Sequence, residues 1–191
     1  MMKKFLAMVL AAVLALSLVA CGEKDPAGQG GGDASYDSAV QVLETIYGGL
    51  GEDQQFPIGG GDAENTVMDA PGAFDVAKTE ELDVMLGLPA SQAAAVTEAA
   101  SMLHMMNANT FTSAAYKLAD GTDLTAFADA VKENVLARQW MCGMPDTRLI
   151  VNVGGGYVVT AFGADELIQA VKTAALGALT GSEVIAEEAI G

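Results

Sequence analysis

Residues 148–162 read Arg148-Leu149-Ile150-Val151-Asn152-Val153-Gly154-Gly155-Gly156-Tyr157-Val158-Val159-Thr160-Ala161-Phe162. Two runs rich in β-branched and aromatic residues, Arg148 to Val153 and Tyr157 to Phe162, flank three glycines. Such side chains suit a pleated surface, and adjacent glycines supply the positive φ of a tight turn. The stretch therefore predicts an antiparallel hairpin. A phosphate-binding loop would need a strand before the glycines, a helix after them, and a following Lys and Ser/Thr. Here the flanks are alike and no lysine follows until Lys172, so the glycines read as a turn.

Working outward, Asp165 to Leu176 places Leu167, Ile168, Val171 and Ala175 on one helical face. Upstream, Thr122 to Gln139 is the clearest helix. Thr122 can cap it, Asp123 suits its first turn, and Arg138 suits its negative end. Leu124, Phe127, Val131 and Val135 form its apolar stripe. Phe111 to Leu118, which runs into Asp120-Gly121, predicts a strand. Val96 to Met106 fits either strand or helix. With that segment as a strand, the C-terminal order is β-β-α-β-β-α. Tight hairpins imply an α+β fold, with a small, mostly antiparallel sheet and helices packed on one face.

Before this region, Asp37 to Tyr47 predicts a helix in which Ser38 and Gln41 can form a capping box. Leu50 to Lys78 is broken by Pro57, Gly59-Gly60-Gly61 and Pro71-Gly72. It reads as a long loop with one short strand near Thr66 to Met68. Thr79 to Leu86 predicts one or two helical turns. The single α+β domain is expected over 36–180, followed by a short acidic tail at 181–191, helical or frayed.

The N-terminus carries a different signal. Lys3 and Lys4 precede an apolar run from Phe5 to Ala20, interrupted only by Ser17. Sixteen residues match a signal-peptide core and fall short of the roughly 20 that span a bilayer. The run ends Leu18-Val19-Ala20-Cys21-Gly22, which resembles the lipobox of bacterial lipoproteins. The resemblance implies lipidation of the Cys21 thiol and removal of residues 1–20. Two acyl chains anchor stably, because each buried methylene contributes about 0.8 kcal/mol. Residues 21–35 follow as a Gly-rich tether with an r.m.s. span of about 20 Å. The expected address is the outer face of the cytoplasmic membrane.

Tyr116-Lys117-Leu118-Ala119-Asp120-Gly121, the helix ending near Arg138, the Pro145–Val153 run and Gly156-Tyr157-Val158-Val159 also carry a likeness. Across roughly residues 80–178 this layout resembles a family of lipoproteins from clostridia-like Gram-positive bacteria that share a domain of unknown function. It agrees with the lipobox about location and supplies no catalytic residues to carry over.

Charge limits the partners. The full chain has 9 basic and 25 acidic residues, a formal charge of −16. Removing residues 1–20 takes away two lysines and no acid. So acidic a chain does not suit nucleic acid, whose binding requires Lys and Arg to displace counterions. It permits solubility, cation attraction or a basic partner, and reads first as a solvated acidic surface.

Three constellations bear on chemistry. Met102, His104, Met105 and Met106 lie in one segment, and Met141, Cys142 and Met144 in another. Thioether, imidazole and thiolate donors suit Cu(I), so Met102, His104, Met106, Met141, Cys142 and Met144 are the candidate metal ligands. The plainer reading is that Met fills core gaps. Cys142 with His104 could form a nucleophile–base pair, but no flanking signature marks an activated thiol. Asp62, Glu64 and Asn65, with Glu52 and Asp53 nearby, could hold Ca²⁺, but the EF-hand spacing is absent. Neither a nucleophile elbow nor a zinc-protease motif occurs, and one histidine cannot build a multi-histidine centre. The expectation is a lipid-anchored, non-catalytic binding or envelope module without a cofactor. Its partner would be an envelope protein or wall component, perceived through the 50–78 segment. The alternative is a small-solute or soft-metal binding lipoprotein accessory to a transporter.

Overall fold

The computed structural model describes residues 35–106, 110–140 and 143–190. The leader, Cys21 and the tether through residue 34 lie outside the described residues, as do Met141 and Cys142.

The hairpin is present and central. Strand β6 (Thr147–Gly154) returns as β7 (Tyr157–Gly163) through Gly155 and Gly156. Gly154, Gly155 and Gly156 have φ of 83°, 59° and 82°, a run of left-handed backbone that only glycine adopts cheaply. On one side β7 pairs with β5 (Phe111–Leu118), and β5 with β4 (Val96–His104). Val96–Met106 is thus a strand over most of its length.

The edge beyond β4 is built from the segment expected to be a loop. It contains β1 (Ile58–Gly60), β2 (Val67–Met68) and β3 (Gly72–Phe74). Both β1 and β3 pair antiparallel with β4, at successive positions along it, and β2 covers β1. This corrects the long-loop reading, and glycine explains it. A Cβ at Gly60 would lie 2.1 Å from the backbone nitrogen of Gly72, so the two strands meet only because both residues lack one. Their missing side chains remove the apolar alternation by which strands are recognised.

The expected acidic tail is also corrected. Glu183–Ala189 forms β8, paired antiparallel with β6 along the whole strand, so the domain extends past residue 180. The sheet is antiparallel throughout, in the order β2-β1-β4-β5-β7-β6-β8, with β3 beside β4.

Four α-helices of the described residues cover it: α1 (Ala39–Gly48), α2 (Thr79–Leu86), α3 (Leu124–Ala137) and α4 (Asp165–Ala178). The α+β class holds, but the helices pack on both faces. Val42, Leu43 and Ile46 of α1 and Ile168, Val171 and Ala175 of α4 join Leu149, Val151 and Val159 in one core. Leu82 and Leu86 of α2 and Phe127, Val131 and Val135 of α3 join Ile150, Val158 and Phe162 in a second. Every residue of β6 and β7 is consequently buried. A strand buried on both faces reads as a continuous apolar run, as this one does.

Local signals set the helix ends. The Ser38 hydroxyl accepts the Gln41 N–H, while the Gln41 side chain reaches back to the N–H of Asp37. In α3 the cap is Asp123, which accepts the Thr125 and Ala126 N–H groups; Thr122 instead donates to the Ala119 carbonyl. No helix of the described residues is long and apolar enough to cross a membrane.

Candidate functional site

The expected calcium cluster is closed by the chain's own cation. The Lys78 ammonium lies 2.9 Å from Asp62 and 3.0 Å from Glu64. Asp62 is buried and also accepts N–H groups from Glu64, Asn65 and Asp75. Its carboxyl is held far below the usual carboxylate range, first by Lys78 and then by these amides. Glu52 and Asp53 are exposed on a separate turn after α1.

The sulfur-rich segments meet different fates. Met102 is buried in the core beneath α1, and His104 stacks on Phe56 at 5.0 Å. The Nδ1 of His104 accepts the N–H of Met106, and burial lowers its pKa, so the ring stays neutral near pH 7. Met105, Met106 and Met144 are exposed. The Thr110 hydroxyl donates to the Gly143 carbonyl, which brings the second segment to the end of the sheet where the first one turns. Met141 and Cys142 lie outside the described residues, so a Cys142–His104 pair gains no geometry.

A cleft lies elsewhere, on the α3 side of the hairpin. One part, about 770 Å³, runs from the end of β5 across the hairpin turn to the start of α3. Lys117, Asp120, Asp123, Asn152 and Tyr157 supply its polar groups, and Leu118, Leu124 and Val158 its apolar ones. A second part, about 270 Å³, lies between α3 and β8 and is lined by Ala128, Asp129, Lys132, Glu183, Ile185 and Glu188. Leu124 and Thr125 border both, so the two adjoin.

Charge in this cleft is uneven. Lys132 is paired with Glu188 at 2.7 Å, and Lys117 sits 4.9 Å from the Tyr157 ring centre. Burial raises the Tyr157 hydroxyl pKa, with the neighbouring Glu98 adding to it. Glu188 also receives the Nη2 of Arg148 at 2.7 Å; these two cations lower its pKa. Both lysines are thus engaged, while Asp120 and Asp129 remain exposed to solvent. The cleft presents net negative charge over an apolar floor.

None of this was legible as a site. Its walls come from residues 117–132, 152–158 and 183–188, joined only by sheet pairing. A usable signal did exist: Arg148 inside an apolar strand requires a carboxylate partner. Comparison with protein-family models, with curated proteins and with solved structures finds no match for this chain.

Proposed function

We propose that this chain is a lipoprotein, cleaved before Cys21 and held by lipid on the outer face of the cytoplasmic membrane. Its domain is a non-catalytic binding module that recognises an envelope protein or wall component. The observation that carries the binding reading is the acidic cleft along α3, where apolar floor and free carboxylates adjoin. Among the described residues, two groups suited to chemistry serve the fold: His104 is stacked and bonded to Met106, and Asp62 is tied to Lys78. The cleft replaces the 50–78 segment as the proposed binding face, since that segment supplies strands and core residues such as Phe56 and Ile58.

Two experiments test this. Cells fed an alkyne fatty acid should label the wild-type chain and not Cys21→Ala, and the variant should leave the membrane fraction. Equal labelling of the two rejects lipidation at Cys21. A photo-cross-linking residue at Thr125 should capture a defined envelope component in intact cells; if it captures none, the binding-module reading falls.

A second reading, a soft-metal lipoprotein accessory to a transporter, is favoured by the Thr110–Gly143 hydrogen bond, which ties the segment carrying Met144 to the start of β5. Under reducing conditions the chain should then compete with a weak chelator for Cu(I), and His104→Ala should weaken that competition.

A further inference from the structure

Among the described residues, strand β8 ends the sheet and is paired only along its inner edge, towards β6. Its outer edge offers unpaired backbone groups along seven residues, from Glu183 to Ala189. The opposite edge strand, β2, has only two residues.

Two helices flank the free edge. On one face Lys132 of α3 binds Glu188; on the other Lys172 of α4 binds Glu187. Four residues beyond each lysine stands a leucine, Leu136 and Leu176, each 45% exposed. Residues four apart share a helix face, so both leucines lie on the stripes that turn towards β8. The helices run in opposite directions along the strand. The start of α3 borders Glu183 and its Lys132 reaches Glu188. Asp165 at the start of α4 bonds Thr147, the partner of Ala189, and Ser182 bonds the Ala175 carbonyl near its end. Leu136 and Leu176 therefore stand at opposite ends of β8, on opposite faces.

Charge selects the occupant. Asp129 lines the same cleft as Glu183 and Glu188, and Glu133, four residues further along α3, and Glu166, at the start of α4, are exposed as well. A second copy pairing through β8 would set these glutamates against one another, and like charges opposed across a ladder destabilise it.

We propose that a basic, extended segment of a partner protein adds to β8 as a ninth strand. Its backbone takes the free edge, its Lys or Arg side chains meet Asp129 and Glu133, and apolar residues at its ends cover Leu136 and Leu176. Strand addition of this kind draws affinity from main-chain hydrogen bonds and specificity from alternate side chains. The inference rests on the binding-module reading and names the class of partner.

The test uses the full-length chain in detergent micelles and three fluorescent ten-residue peptides. One alternates Lys and Ile, one alternates Glu and Ile, and the third is the Lys peptide with alternate backbone amides N-methylated. The Lys peptide should bind at least about tenfold tighter than either of the others, and raised salt should weaken it. Asp129→Lys with Glu133→Lys, both at exposed positions, should weaken binding about tenfold with the melting temperature kept. Amide exchange over 183–189 should slow on binding. Equal affinity for the Lys and N-methylated peptides overturns strand addition, equal affinity for the Lys and Glu peptides overturns the charge assignment, and a dimer that protects 183–189 assigns the edge to a second copy. If the Lys peptide fails while Thr125 still cross-links a partner in cells, this inference falls and the binding module stands.

Discussion

The ammonium of Lys78 lies 2.9 Å from the buried carboxylate of Asp62, and this pair joins the two ends of the segment that carries β2 and β3. Asp62 also accepts three backbone N–H groups, so it is a hub as well as a charge partner. Lys78→Met should lower the melting temperature at pH 7, because a buried carboxylate that loses its cation stays desolvated.

The same pair sets a pH dependence. The Asp62 pKa is depressed, so its contribution is complete above the unfolded value near 4 and fades as pH falls below it. The Lys78 pKa is raised, so its contribution is complete below about 10.4 and fades as pH rises above that. Melting followed by circular dichroism should therefore show a plateau between these limits. Lys78→Met should flatten the acid limb; an unchanged limb would remove Asp62 from the account.

Arg148 makes a sharper case. Its guanidinium is buried, Nη2 binds Glu188, and Nε and Nη1 find no partner among the described residues. Glu188→Ala should therefore lower the melting temperature more than Glu187→Ala, whose partner Lys172 reaches solvent. The double variant Arg148→Met with Glu188→Ala should recover much of the loss, since apolar replacements of buried pairs are often neutral or better. A thermal-melt cycle measures the coupling directly.

Two glycines should respond in opposite directions. At Gly60 a Cβ would lie 2.1 Å from Gly72 nitrogen and 2.7 Å from the Ser101 carbonyl oxygen, all within rigid sheet, so Gly60→Ala should prevent β1 and β3 from meeting. Gly177 lies in α4 with nothing within 4 Å of its would-be Cβ. Gly177→Ala should add about 1 kcal/mol, the usual helix preference for Ala over Gly. Urea denaturation reads both.

Both faces of the sheet should matter equally. Leu43→Ala, on α1, and Phe127→Ala, on α3, should each cost about 2–5 kcal/mol. Val84→Ala, at an exposed position, should stay within about 0.5 kcal/mol. A helix layer on one face only would leave one of the two core substitutions cheap. Truncation after Ser182 should likewise destabilise the domain and promote aggregation, because it strips β6 of its neighbour. A frayed tail would be lost without effect.

By itself the sequence determined the elements whose signals are local. The hairpin at 148–162, the helices at 37–47, 122–139 and 165–176, and the antiparallel character of the sheet follow from periodicity, caps and turn glycines. The lipobox resemblance at Cys21 is local in the same way. Tertiary structure decided the rest. A double-sided sheet differs from a single-sided one only in what covers the second face, and β6 reads alike until α2 and α3 are placed over Ile150. Strands of two or three residues rich in glycine carry no period, so β1 to β3 exist only through pairing with β4. The acidic 183–189 segment became a strand because β6 offered it a ladder and Arg148, Lys132 and Lys172 offered its glutamates partners. The cleft followed from that pairing, since its walls are separated by dozens of residues and each takes meaning only beside the other.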